Sequence, residues 1–563
     1  MRDRTAQHRV PLRTEPSADA VPVLDDGLLD RLADHGTARR VELGEQLFGP
    51  AQSDYAFFAI RSGRVAILTG TGEDRVELNR LGRGEFLGEL SLLIDQRPFL
   101  AAEVVDAGEV IEITPAELRT IVATVPELSD PIVTAFAARR RDLMDNAGAS
   151  SLTIVGPEDD EPTLRVRSFA SRNRIPHRFV ADGSEGANEL RERHGGSRDS
   201  TLAILRDERK IENPTPRTLA TALGLDLALP KGTVVDLAVI GAGPGGLAAA
   251  VYGASEGLDT VVVEDTAIGG QAGTSSRIEN YLGFPTGVSG ADLAYLGELQ
   301  ALKFGARLTM PRRATSLARS DDGTFRVELD DGSVLTARSV VVSSGASYRK
   351  LPLERLEKFE GAGVYYAATD LEARFCRNTE VVIVGGGNSA GQAAVFLSGH
   401  ARHAHIVVRG DGLASSMSSY LLDRIKASDE ITVHTHAEVA ELHGDDALVA
   451  VTLIRKDADD LRIDTRALFL MIGAAPNTDW LAGTVELDDK GFVLTGAAIE
   501  RMNPFETSVP GVFAVGDVRS DSIKRVASSV GEGSVVVSAV HKYITANGAD
   551  EVPPIVTEAD ERR

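Results

Sequence analysis

Apolar residues in this chain gather in short runs, and glycine turns end the clearest two. Val234 to Ile240 stops at Gly241, and Val381 to Val384 stops at Gly385. The first run continues into Gly241-Ala-Gly243-Pro244-Gly245-Gly246, the second into Gly385-Gly-Gly387-Asn388-Ser389-Ala390. Each reads as buried strand, tight glycine turn, then helix. That geometry lets backbone N–H groups and a helix N-terminus hold a pyrophosphate. Two such units predict two bound dinucleotides and electron transfer between them.

The same reading divides the rest of the chain. In residues 25–145, Tyr55 to Ile60, Gly63 to Leu68 and Val76 to Leu78 are short strands between Gly and Asp turns. Thr114 caps a helix opened by Pro115, and a second helix is expected over Pro131 to Met144, closing a β-roll. Residues 150–228 form a small α/β unit, with strands at Leu152–Val155, His177–Ala181 and Thr201–Leu205 and helices at Thr163–Arg172 and Arg217–Leu223. From Thr233 the pattern is βαβ, and the second fingerprint interrupts it. One nucleotide domain (348–469) is therefore expected inside another (233–347 and 470–547), with crossings near Gly345–Ser347 and Gly473–Pro476. Residues 1–24 carry several arginines and prolines without an apolar segment of the secretory type, and are expected to be a flexible tail.

Composition narrows the classes. The 563 residues suit three to five domains at roughly 100–200 residues each. The net charge of −23 disfavours nucleic acid and anionic membranes as partners. No run reaches the roughly 18 apolar residues of a membrane span, and a cytoplasmic location is the default. One cysteine, Cys376, excludes an internal disulfide framework and a Cys-x-x-Cys motif from this chain. No metal site is indicated.

In the first fingerprint Gly241 permits the turn, Gly243 lets the backbone approach phosphate, and Gly246 packs helix on strand. Glu264, at the end of the Thr260–Val263 strand, is placed to accept ribose hydroxyls. Residues 233–545 resemble the thioredoxin-reductase-like flavoproteins. Gly269-Gly270-Gln271 and Ile278-Glu-Asn280-Tyr-Leu-Gly-Phe-Pro285 are similar to that family's flavin-contacting loops. Gly516-Asp517 and Arg525-Val526-Ala527 are similar to its ribityl and isoalloxazine segments. The resemblance implies FAD at this site, a homodimer, and two nucleotide domains that rotate against each other.

In the second fingerprint Ala390 replaces the third glycine and still allows close packing. Arg409 follows the next strand, where an arginine suits a 2′-phosphate and so favours NADPH. Gly410 stands where relatives commonly carry a second basic residue, which keeps NADH as an alternative.

Gly363-Val-Tyr-Tyr366-Ala367-Ala368-Thr369-Asp370 resembles the family segment that carries the redox cysteine pair, with Ala367 and Asp370 in their places. Neither side chain can form a thiolate. Asp370 is a candidate proton relay to flavin, with a helix N-cap as the plainer role. Cys376 suits a buried apolar position.

Residues 25–145 resemble a cyclic-nucleotide-binding domain through Gly63 and Leu87-Gly88-Glu89-Leu-Ser-Leu-Leu93. In that family the glutamate takes a ribose hydroxyl and a following arginine the cyclic phosphate. Here Arg97-Pro98 reverses the usual order, so a different small ligand or a dimerisation role competes with cyclic-nucleotide binding. Residues 150–228 resemble a thioredoxin or glutaredoxin fold without its cysteine.

The expectation is a multidomain α/β protein: a β-roll, a small thioredoxin/glutaredoxin-like domain, and two nested Rossmann-like dinucleotide-binding domains. It would pass electrons from NADPH through FAD to a small-molecule or protein acceptor. A ligand-responsive redox sensor and a thioredoxin-disulfide reductase using a non-standard thiol are the alternatives.

Overall fold

A computed structural model describes residues 17–547, apart from positions 51, 53–54, 70–75, 90–91, 94–96, 99, 146–151, 159, 198–199, 206–208, 226–231, 276–277, 279–280, 361, 367, 369–371, 374–375, 415–416, 446 and 457. Helix α1 (Asp26–Ala33) leads into a β-roll built on two long antiparallel strands, Phe57–Thr69 and Ala101–Ile113. Thr37–Val41 and Val76–Leu81 flank this pair.

The two short strands expected on either side of Gly63 are one strand. Gly63 is an irregularity in it, with φ +88°, and a Cβ there would meet the carbonyl oxygen of Asp106 at 2.5 Å. The partner strand runs past without a break, so the chain bulges where a local reading sees a turn.

Helix α2 (Pro115–Thr124) starts as expected, with the Thr114 hydroxyl accepting the Glu117 N–H at 3.2 Å. Helix α3 (Pro126–Asp145) begins five positions before the expected Pro131, which lies inside it. Pro126 occupies the first turn, where a missing N–H costs nothing, and that restarts the chain after Val125. Among the described residues no single helix is long and apolar enough to cross a membrane.

The second unit runs Leu152–Gly156, helix α4 (Glu161–Arg172), His177–Ala181, helix α5 (Glu185–His194), Leu202–Leu205, Lys210–Glu212 and helix α6 (Pro216–Leu223). Leu152–Gly156 pairs parallel with His177–Ala181 and antiparallel with Leu202–Leu205, which pairs antiparallel with Lys210–Glu212. That order and sense is the core of a thioredoxin-like fold. Val166, Phe169 and Ala170 of α4 pack with Leu219, Ala220 and Leu223 of α6 on one face. Ala187 of α5 packs on the other.

The third unit is a parallel sheet with Val234–Ile240 between Thr260–Val263 and Val334–Val342. Strands buried on both faces read as continuous apolar runs, which is why these were visible in the sequence. Helix α7 (Pro244–Ser255) follows the first glycine turn, and helix α8 (Gly290–Lys303) lies beside it. Val512–Ala514 returns from far along the chain to pair with Val334–Val342. Between these lies the second parallel sheet, with Glu380–Val384 flanked by His403–Val407 and Thr465–Leu470. The chain crosses between the two sheets at Ala346–Tyr348 and Ala474–Pro476, which pair as a two-stranded antiparallel ribbon.

Candidate functional site

The first glycine turn is shaped by what a side chain would strike. A Cβ on Gly246 would meet the Gly241 carbonyl oxygen at 1.8 Å, and one on Gly241 (φ +105°) would meet that of Ser343 at 2.4 Å. A Cβ on Gly243 would meet nothing within 4 Å. So Gly241 and Gly246 serve the packing of helix on strand, whereas Gly243 faces open space at the N-terminus of α7. Pro244 and Gly245 form the first turn of that helix, and Gly245 lies under Ser529 of the Val526–Asn547 helix. The Ser343 hydroxyl donates to the Gly241 carbonyl at 2.6 Å.

Glu264 is buried, and its carboxylate accepts the N–H of Ala242 at 2.7 Å, Thr266 at 3.0 Å and Ala267 at 3.3 Å. Desolvation pushes its pKa up against these hydrogen bonds. The residue expected at a ribose thus also ties the turn to the following segment. Within that segment Gly270 takes φ +55°, and the Gln271 amide donates to the Ala346 carbonyl at 2.6 Å in the crossing ribbon.

Gly516 and Asp517 sit beside the Val526–Asn547 helix. The Gly516 N–H donates to Glu532 at 2.6 Å, and Arg519 pairs with Glu532 at 2.8 Å. Oδ1 of Asp517 is buried with no hydrogen-bond partner among the described residues, and burial pushes this carboxyl up. An acceptor left in this state fits a polyhydroxylated ligand whose hydroxyls would donate to it. Arg525 and Ala527 are exposed, and Val526 opens the helix. Asn280 lies outside the described residues. Sequence reasoning missed Ser343, which reaches the first glycine turn from a distant stretch of chain, and the Arg519–Glu532 pair, whose carboxylate holds the Gly516 N–H.

The second turn repeats the logic. Gly385 has φ +145°, and a Cβ there would meet the Met471 carbonyl oxygen at 2.4 Å. Gly387 caps the Asn388–Ser398 helix, and Ala390 is fully buried against the sheet. The Asn388 side chain accepts the Ser418 N–H at 2.8 Å, drawing the segment beyond Arg409 toward the turn. Ser389 and Arg409 are exposed. Among the described residues no carboxylate pairs with Arg409.

Ala367 and Asp370 lie outside the described residues. Cys376 is fully buried, its thiol donates to the Glu372 carbonyl at 3.2 Å, and burial pushes its pKa up to about 12. A thiol so placed is neither nucleophile nor metal ligand at neutral pH. At the start of α4, where thioredoxin-like folds carry their cysteines, the buried hydroxyls of Thr163 and Thr201 share a 2.7 Å hydrogen bond.

In the β-roll Gly88 takes φ +141° and is enclosed by Leu92, Phe57 and Phe136. Glu89 is paired with Arg140 at 3.1 Å. Arg97 is partly buried, and its neighbours 94–96 are outside the described residues.

Comparison with known proteins assigns two parts of the chain. The pyridine nucleotide-disulphide oxidoreductase model matches residues 235–533, and the cyclic nucleotide-binding domain model matches residues 38–125. The chain is 32% identical over 366 residues to an NADPH-dependent thioredoxin reductase 3 of Arabidopsis thaliana, covering 63% of this chain and 66% of that protein. It is 32% identical over 309 residues to a thioredoxin reductase of Mycoplasmopsis pulmonis, covering 54% of this chain and 96% of that one. The crystal structure of thioredoxin reductase from Streptococcus pyogenes superposes with a TM-score of 0.51 at 28% identity, over 56% of this chain and 99% of that one. The chain belongs to the pyridine nucleotide-disulphide oxidoreductase family, in its thioredoxin-reductase-like branch, and carries a cyclic nucleotide-binding domain at its N-terminal side.

Proposed function

We propose that this protein is an FAD-dependent NADPH oxidoreductase whose flavin passes electrons to an acceptor other than a dithiol of its own chain. The observation that carries this reading is the pair of glycine turns, each between a parallel strand and a helix, on two sheets joined by one two-stranded ribbon. The relatives' printed names point to NADPH and to thioredoxin as their substrates. The single, buried Cys376 argues against a cysteine relay in this chain.

Gly241, Gly243, Pro244, Gly245 and Gly246 would receive the FAD pyrophosphate, Glu264 its ribose, and Gly516–Asp517 the ribityl chain. Gly270, Gln271, Asn280 and Arg525–Ala527 would border the ring. Bound FAD supplies the capacity to accept hydride and release electrons. Gly385, Gly387, Asn388, Ser389 and Ala390 would seat the nicotinamide dinucleotide, with Arg409 facing a 2′-phosphate. Asp370 is the candidate for holding a proton near the ring. The crossing ribbon is the natural axis for the domain rotation that relatives use, and the protein is expected to work as a homodimer in the cytoplasm.

Anaerobic mixing of the purified yellow protein with NADPH or NADH tests this. Rapid bleaching by NADPH, then reoxidation by a quinone or ferricyanide but not by thioredoxin, is the expected result. A colourless preparation that takes up no FAD, or robust thioredoxin reduction, would overturn it. The cyclic nucleotide-binding domain at the N-terminal side favours, as a second reading, a ligand-responsive sensor whose turnover is slow with every acceptor.

A further inference from the structure

The thioredoxin-like unit carries no thiol, because the one cysteine of the chain is Cys376. It is nonetheless fastened to the candidate flavin domain at two places. At one, Arg217 of α6 pairs with Asp330 at 3.1 Å and Asp331 at 2.6 Å. At the other, three successive residues at the end of α4 reach across. Arg172 donates to the Gly270 carbonyl and Asn173 to the Thr266 carbonyl, both at 3.2 Å, and Arg174 pairs with Asp292 of α8 at 2.5 Å.

The backbone of these three residues is bent for that reach. The Ile175 N–H returns to the Ala170 carbonyl at 2.9 Å, and Arg174 takes φ +50°. A helix that ends this way ordinarily has glycine in the left-handed position. An arginine there bears a steric cost, which its side-chain contacts offset. The Arg174 guanidinium lies 4.6 Å over the Tyr295 ring, and only 16% of the side chain is exposed. The Asn173 amide also donates to the Phe169 carbonyl at 2.9 Å, which anchors it in its own helix.

The gripped segment has the first glycine turn on its other side. The Gly269 N–H donates to the Ala242 carbonyl at 2.8 Å, and the Thr266 and Ala267 N–H groups donate to Glu264. A Cβ on Gly270 would meet the Cα of Gly243 at 3.1 Å. Gly243 is the glycine that faces open space at the start of α7. Gly270 therefore meets the turn on its Cα side and Arg172 at its carbonyl.

We propose that the thioredoxin-like unit is a built-in clamp on residues 266–270, with Arg172 as its positioning residue for bound FAD. This rests on the reading of the first turn as the FAD site. Two adjacent glycines, Gly269 and Gly270, make the segment pliable by itself. Holding Gly270 by its carbonyl removes that freedom before FAD arrives, so less ordering is left for binding to impose. The guanidinium also brings a positive charge to the neighbourhood of an anion-binding turn, in a chain of net charge −23. The unit thereby has a task that needs no thiol.

Two measurements on the full-length protein test the clamp: the FAD dissociation constant on rebinding to apoprotein, read by flavin fluorescence, and hydrogen exchange of the apoprotein in peptides covering 266–271. R172Q should weaken FAD about tenfold, through loss of a charge-assisted hydrogen bond, and raise exchange in 266–271 about tenfold, with exchange in 244–255 unchanged. R172K keeps a cationic donor and should bring the FAD constant back to within about threefold of wild type. R174G suits the left-handed backbone but removes the anchor, and should shift both readouts in the direction of R172Q. If R172Q yields no folded protein, R174G decides by the same two readouts. An FAD constant within about twofold of wild type in R172Q would overturn the proposal, whatever the exchange shows, and so would R172K binding no better than R172Q. Wild-type protein that takes up no FAD, with the expected exchange difference in the variants, refutes the FAD reading and leaves the clamp standing.

Discussion

Glu264 holds the first glycine turn by accepting the backbone N–H of Ala242 at 2.7 Å from the end of the neighbouring strand. The same carboxylate satisfies Thr266 and Ala267. Glu264→Ala would leave these N–H groups without their acceptor in a buried site, at a cost of about 3 kcal/mol. Urea unfolding should show the loss with or without added FAD, because the contacts are internal to the chain.

Gly243 and Gly246 separate binding from folding. Gly243→Ala adds a methyl to open space and should give a folded protein that retains little flavin. Gly246→Ala drives a methyl into the Gly241 carbonyl and should lower stability or yield no folded protein. Visible absorbance and far-UV circular dichroism of the two variants check this.

Arg409 is exposed and free of carboxylate partners among the described residues, which suits a ligand phosphate. Arg409→Ala should raise KM for NADPH by roughly 10–100-fold through loss of a charge-assisted contact, while KM for NADH changes little. Steady-state kinetics with an artificial acceptor measure the ratio.

Cys376 should resist alkylation in the native protein and react readily in urea, because burial pushes its thiol up to about 12. Cys376→Ser should leave the rate of flavin reduction unchanged and lower stability by about 1–2 kcal/mol, since it buries a hydroxyl in an apolar cluster.

Glu298 gives the protein a pH signature. Its surface is only partly covered, yet desolvation dominates at the carboxyl and pushes it up to about 7, against the opposing charges of Arg140 and Arg174. A raised folded pKa means that the folded state holds the proton more tightly. The stabilising contribution is therefore full below the ordinary carboxyl pKa and is lost as pH rises through about 7. Glu298→Gln should be near neutral at pH ~4.5 and stabilise by about 1–2 kcal/mol at pH ~8. Thermal unfolding across that range is the measurement.

What the sequence made legible was local. Both glycine turns, the Thr114 cap and the strands at Val234–Ile240, Thr260–Val263 and His177–Ala181 lie where short-range patterns put them. What it concealed acts across long separations. Gly63 looks like a turn until the unbroken strand opposite it is known. Glu532 looks like a solvent-facing residue of a helix, yet it binds Gly516 and Arg519. Arg140, Arg172, Asn173 and Arg174 carry no local mark of their partners. Those partners are set by how the units dock, which no hydrophobic period encodes.

The crossing ribbon has a further consequence. Asn477 stitches its two strands together, donating from its side chain to the Ser344 carbonyl at 2.8 Å and from its N–H to the Gly345 carbonyl at 3.0 Å. The chain thus departs from and rejoins the outer sheet through adjacent doorways. Whatever length lies between them loads neither strand register nor core of the host, so the inserted module is free to be lengthened, trimmed or exchanged by evolution or by engineering as a single part.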